Sequence, residues 1–367
     1  YGMVADGIGY IYFERFVDGC SRDVRRAVVD LKEQGAKALV IDMRGNPGGP
    51  LSEAVEVTNL FVPRGQKVVY TKGKLASVNS EHYTKKEPLD VDIPVAVLVD
   101  GSTASSAEIV SGAWQDWDRA VIVGERTYGK GLVQMIREVP YHGSLKVTTS
   151  RYYIPSGRCI QAYDYRQLNP DGSAKTLPDS LTKAFKTAGG REVRDGGGIK
   201  PDVVITPDSL PSIVYDIATS DVLLDYVNHY VQTHATIAPA GDFSLTDADY
   251  ADFVKMVEES DFTYKRRTEE MMKLLERTAR FEGCYEGAKP EFEALAAKMK
   301  GGVAADLELP KNKEEIKSVL ESDIVARYYF RRGVVQQQLK ADKDLKTALE
   351  ILTDTERYES LLKPVKK

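Results

Sequence analysis

Gly101-Ser102-Thr103-Ala104-Ser105-Ser106-Ala107-Glu108, read with Gly129-Lys130-Gly131-Leu132-Val133-Gln134, decides how this chain is understood. The apolar run Val95 to Val99 precedes the first segment, and Ala107, Val110, Ala113 and Trp114 follow at helical spacing. A hydroxyl-rich turn therefore joins a strand to a helix. Ser105 would sit at that helix's N-terminus, where free N–H groups and the dipole favour negative charge. An amine, Lys130, stands twenty-five positions after Ser105, and an amide, Gln134, four positions beyond it. These are the parts of a serine–lysine hydrolase, in which the lysine takes the serine's proton.

Each part has a plainer reading. Ser102, Thr103, Ser105 and Ser106 would serve as helix caps, Lys130 as a surface residue in a glycine turn, and Gln134 as a strand-surface residue. For lysine to act as the base, burial must favour its neutral form, and Tyr128, Leu132 and Val133 are expected to supply apolar cover. Gln134 shares a side with Lys130 if the strand alternates without a bulge, and its carbonyl would then orient the amine. The loop Arg44-Gly45-Asn46-Pro47-Gly48-Gly49-Pro50 offers bare backbone amides for the close approach of a substrate. Residues 124–130 also fit the first seven positions of a phosphate-binding P-loop. The eighth position is Gly131, not Ser or Thr, and a strand pattern follows where a P-loop needs a helix.

Working outward, strand and helix signals alternate through the first two hundred residues. Strands are expected at 8–13, 38–41, 68–71, 95–99, 120–123, 132–138 and 145–153. Helices are expected at 22–34, 52–61 and 105–117, and residues 72–90 form a polar exposed insertion. Repeated strand–loop–helix units indicate an α/β domain. From about 207 onward the pattern turns helical. Thr246-Asp247-Ala248-Asp249 resembles a capping box ahead of a helix to about 260, and further helices are expected at 264–280, 291–300, 313–330 and 342–352. The chain is thus divided into an α/β core at 1–208 and a helical C-terminal domain at 209–367.

Length and composition bound the rest. The 367 residues suffice for two cores, and 42% apolar with 29% charged residues is ordinary for a globular protein. A net charge of −5 argues against a nucleic-acid partner. Cys20, Cys159 and Cys284 form neither a disulfide framework nor a metal-ligand spacing, and His82, His142, His229 and His234 lack partners at ligand spacing. No metal and no cofactor is expected. The chain opens at Tyr1 without a signal-peptide pattern, as an excised or processed piece would.

The motifs together resemble the carboxyl-terminal processing, or tail-specific, serine peptidases of family S41, which use a Ser–Lys dyad. The resemblance is carried by 8–11, 42–49, 103–108 and 124–134, and is extended by 153–161 and 198–202, in the family's order and spacing. It implies a crotonase/Clp-protease-like core, with Ser105 as nucleophile, Lys130 as general base and Gln134 holding the lysine. The backbone N–H groups of Gly49 and Ser106 would form the oxyanion hole. Ala104-Ser105-Ser106-Ala107-Glu108 differs from the family's usual Ala-Ser-Ala-Ser-Glu, so the neighbouring hydroxyl competes with Ser105 for the role, and the spacing to Lys130 favours Ser105. The implied function is endopeptidase cleavage near the C-terminus of exported proteins, periplasmic or in the cell envelope. Substrates would be proteins or peptides bound through their C-terminal region. The alternative is a catalytically silent module that binds a peptide or an apolar ligand on the same fold. A PDZ domain commonly precedes the first strand in this family, and none is present in this chain. The region 209–367 matches no assignable motif; it is read as a scaffold or homo-oligomerisation element, with substrate gating as the alternative.

Overall fold

The computed structural model describes residues 1–207, 209–299 and 301–364. Asp208, at the expected domain boundary, Lys300, at an expected helix end, and residues 365–367, at the end of the expected helical domain, lie outside the described residues. The chain forms two compact units, one of residues 1–207 with 343–367 and one of residues 208–342.

The first unit is built on a six-stranded sheet in which the runs expected at 8–13, 38–41, 95–99 and 120–123 are joined by unexpected strands at 2–5 and 203–204. In chain order, its first strands are β1 (Gly2–Ala5), β2 (Ile8–Tyr12) and β3 (Ala38–Asp42), with helix α1 (Cys20–Glu33) between the last two. Helix α2 (Leu51–Thr58) follows, then β4 (Lys67–Gly73), β5 (Ser80–Tyr83) and β6 (Val95–Val99). Helix α3 (Ser106–Asp116) leads to β7 (Val121–Gly124), the hairpin β8 (Leu132–Val139) and β9 (Gly143–Tyr153), and two short ribbons. These ribbons are β10 (Tyr163–Leu168) with β11 (Ala174–Thr176), and β12 (Ala184–Lys186) with β13 (Glu192–Arg194); β14 (Val203–Val204) closes the series. The main sheet runs β1-β2-β3-β6-β7-β14, parallel from β2 onward, with β1 antiparallel at its edge. A smaller antiparallel sheet has the order β5-β4-β9-β8. The polar stretch 72–90, expected as an insertion, contributes β5 to it.

Every residue of β3, β6 and β7 is buried, as continuous apolar runs in a parallel sheet require. Leu39, Ile41, Val95, Val97, Val99 and Ile122 share one core with Val28, Leu31, Val57, Val110 and Trp114 of the three helices. The alternate residues Val40, Ala96, Leu98 and Val123 are equally buried. Their cover comes from the far end of the chain.

The second unit comprises α4 (Ser212–Ala218), α5 (Asp221–Thr233), α6 (Asp247–Glu259), α7 (Arg267–Phe281), α8 (Tyr285–Met299), α9 (Val303–Leu307) and α10 (Pro310–Gln338). Its core gathers Tyr226, Tyr250, Phe253, Leu320 and Ile324. The expected cap before α6 is present: the Thr246 hydroxyl accepts from Asp249 N–H, and the Asp249 carboxylate accepts from Thr246 N–H.

After residue 342 the chain returns to the first unit as α11 (Lys343–Thr353) and α12 (Thr355–Leu361). Helix α11 packs on β3, β6 and β7 through Leu345, Ala348, Ile351 and Leu352. The division therefore differs from a helical domain running over 209–367. An amphipathic helix shows that it has a partner but not where, and these partners lie more than two hundred residues upstream. The Tyr358 hydroxyl accepts from Val95 N–H at 3.0 Å and lies 3.3 Å from the Val95 carbonyl oxygen. Tyr358→Phe leaves those groups without that partner and should cost about 1 kcal/mol, measured as a lower urea midpoint of tryptophan fluorescence.

Candidate active site

Three loops at the carboxyl ends of parallel strands supply the site, the position where open α/β sheets place their ligands. The first follows β3. Asp42 is buried and accepts from the Tyr10 hydroxyl at 2.7 Å and from the Arg44 guanidinium at 2.6 Å. Asn46, fully buried, donates its amide to Phe13 O and accepts from Gly48 N–H, which folds the glycine turn back on itself. Gly48 has φ +86°, and a Cβ there would come within 2.7 Å of Ala104 O, Ser105 Cβ and Ser106 N. Only glycine lets this loop reach the serine segment so closely.

The second loop follows β6. Asp100 accepts from the N–H groups of Gly45, Ser102 and Thr103, and the Thr103 hydroxyl donates to Met43 O. Ala104 N–H donates to Asn46 O, a second tie between the two loops. Ser105 then adopts φ 56° and ψ −116° at the start of α3. A non-glycine residue held at positive φ carries about 1–3 kcal/mol of strain, and such strain clusters at functional sites. The turn presents Ser105 half-exposed at a helix N-terminus.

Ser106 is differently placed. It is 1% exposed, and its hydroxyl donates to Gly49 O at 2.7 Å. That commitment gives it a part in holding the glycine loop. The N–H groups of Gly49 and Ser106 donate to no acceptor among the described residues.

The third loop follows β7 and carries Lys130. Its backbone is firmly held: Lys130 N–H donates to Glu108 at 2.9 Å, and its carbonyl accepts from the Tyr152 hydroxyl. Its side chain is exposed, and Tyr128 beside it is 41% exposed, so the expected apolar cover is absent. The cause lies in sheet order. Lys130 leads into β8, the free edge of the smaller sheet, and β8 is exposed beyond Val133. Gln134 is exposed as well, and the irregularity in pairing beside it lies on the partner strand β9. Val133 faces Ser150 and Gln134 faces Thr148, which leaves Thr149 as an unpaired bulge residue. The structure thus brings Ser105, Gly49 and Ser106 into one neighbourhood and holds Lys130 there by its backbone, with no hydrogen bond from its ammonium among the described residues. Because β8 follows Lys130, the P-loop rival lacks the helix it needs.

Sequence reasoning missed the residue that unites the loops. Glu108 is fully buried and accepts four hydrogen bonds: from Ser105 N–H and Lys130 N–H at 2.9 Å, from Gly129 N–H at 2.7 Å and from the Thr127 hydroxyl at 2.5 Å. Burial pushes its pKa up, and the four donors oppose that. A Glu three residues after a serine reads as a local capping box, and nothing in that pattern announces donors from twenty residues downstream.

Residues 7–174 match the model of peptidase family S41, and residues 213–352 match that of the probable PDZ-protease C-terminal helical domain. The second match assigns the helical region for which the sequence offered no motif. The carboxy-terminal-processing protease of Bartonella bacilliformis is 35% identical over 196 residues, 52% of this chain and 44% of that protein. The carboxyl-terminal-processing protease of Synechocystis sp. is 37% identical over 148 residues, 40% of this chain and 34% of that one. A solved photosystem II D1 C-terminal processing protease is 27% identical, covers 56% of this chain and 44% of its own, and has a TM-score of 0.42. The chain spans less than half the length of these curated relatives. By these matches, residues 7–174 of the chain are similar to peptidase family S41.

Proposed function

We propose that this protein is a serine endopeptidase that cleaves near the C-terminus of exported proteins. Ser105 attacks the scissile carbonyl, Lys130 takes its proton, and the Gly49 and Ser106 N–H groups receive the oxyanion. Water then resolves the acyl-enzyme with Lys130 again as base, and Gln134 orients the amine. One observation carries the reading: Ser105 stands at positive φ on a helix N-terminus, with the Gly48–Gly49 turn against it and two uncommitted amides nearby. The match of residues 7–174 to the S41 model and the names of the relatives support the same chemistry.

The base must act as a neutral amine. A peptide laid along the free edge of β8 would cover the exposed Lys130 side chain and exclude water from it. Backbone pairing along that edge would supply affinity, and side-chain pockets selectivity. This makes the substrate part of the activation. Among the described residues no helix is long and apolar enough to cross a membrane, and residence in the periplasm or cell envelope rests on the relatives. Residues 209–342 are read as a scaffold or as an element of homo-oligomer assembly.

The test is mass spectrometry of a peptide library with free C-termini. Cuts close to the carboxyl end, insensitive to chelator, are expected. An unprocessed library with the full-length protein would instead favour the silent binding module, to which the exposed Lys130 lends its only support. Ser106→Ala should lower kcat about threefold to tenfold, since it loses one neutral hydrogen bond that steadies Gly49; steady-state kinetics on the best library peptide checks this.

A further inference from the structure

Lys130 and Ser105 lie on different loops, and the lysine has a long flexible stem, so something other than its ammonium must set their separation. The four peptide groups concerned are gripped by two buried side chains. Glu108 accepts both N–H groups, Ser105 at 2.9 Å and Lys130 at 2.9 Å. Tyr152 addresses both carbonyls: its hydroxyl donates to Lys130 O and lies 3.3 Å from Ser105 O. The phenol is itself anchored. Tyr152 is 2% exposed at the end of β9, its N–H donates to Gly131 O at 3.0 Å, and it pairs with Thr71 of β4. It therefore approaches the dyad from the smaller sheet, whereas Glu108 approaches from α3.

We infer that Tyr152 is a positioning residue for peptide cleavage, its hydroxyl fixing the backbone of Lys130 against the backbone of Ser105. The inference rests on the Ser105–Lys130 reading above. Burial, with the Glu108 charge second, holds the Tyr152 phenol well above the usual tyrosine range, so it remains a donor while the lysine changes its protonation. Glu108 alone leaves each loop a hinge about its N–H bonds. A second grip on the carbonyl side removes that rotation and keeps the two reacting groups in register, where small misplacements cost rate heavily.

The test is Tyr152→Phe, which removes one oxygen and keeps the ring. Cleavage of the best library peptide should fall about 10-fold to 100-fold in kcat with KM within about twofold. Hydrogen exchange should accelerate about 10-fold in residues 103–107 and 128–131 and stay unchanged in α1. Ile154→Val, a core truncation on the same segment with Ile154 fully buried, serves as a stability-matched control and should keep kcat within about twofold. Wild-type kcat in Tyr152→Phe, exchange unchanged in both segments, or an equal kcat loss in Ile154→Val would each overturn the assignment. Wild type, Ser105→Ala and Lys130→Ala are run alongside. If those three do not differ in cleavage, the peptidase reading fails, and the exchange result decides the clamp independently.

Discussion

Ser105→Ala is expected to lower kcat/KM for peptide cleavage by about 10⁴-fold or more, with the fold intact. The side chain is half-exposed and serves at most the helix cap, where water can replace it, so its loss leaves no partner stranded in the interior. Alanine also removes the hydroxyl that the turn presents at the helix N-terminus, whereas the Ser106 hydroxyl is engaged by Gly49 O. The contrast between the neighbours is the sharper test. If Ser106→Ala lost activity as completely as Ser105→Ala, the hydroxyls would have been assigned the wrong way round. Lys130→Ala should match Ser105→Ala, since an uncharged methyl cannot accept the proton. Progress curves for all three variants, normalised to folded protein by circular dichroism, decide the matter.

Glu108→Ala should be the most damaging single change to the stability of the first unit, about 3–5 kcal/mol. It strands three backbone N–H groups and one hydroxyl, of which the Gly129 N–H and the Thr127 hydroxyl are buried. Glu108→Gln should lose about half as much, because its oxygen still accepts while its NH₂ faces donors. Both tryptophans, Trp114 in α3 and Trp117 just after it, lie in this unit, so their fluorescence follows its unfolding without interference from the other. A urea midpoint for Glu108→Ala equal to that of wild type would show that the carboxylate does not carry the junction.

The readability of the chain followed the range of the interactions. Val95 to Val99 and Ala38 to Ile41 announced buried parallel strands because a strand covered on both faces leaves no room for polar alternation. Thr246 and Asp249 announced a helix start because a cap is settled within four residues. The exposure of Lys130 was not legible. Its apolar neighbours suggested cover, but cover depends on whether another strand lies beyond β8. The role of Glu108 was hidden by a local motif that explains it too easily, and the bulge at Thr149 by a partner strand that no periodicity reveals. The short ribbons between 163 and 194 hold too few residues each for alternation to emerge.

The peptidase unit is closed by its last helices, which the chain reaches only after passing through the entire second unit. One face of the main sheet is therefore sealed by a segment attached through 135 intervening residues. A single proteolytic nick inside that intervening stretch would sever the chain yet leave the trailing fragment seated on the sheet, held by Leu345, Ala348, Ile351, Leu352 and Tyr358. Nicked material should run as one species on native gels and as two bands after denaturation. A stop codon at the same place would instead strip the sheet bare and deliver an insoluble product.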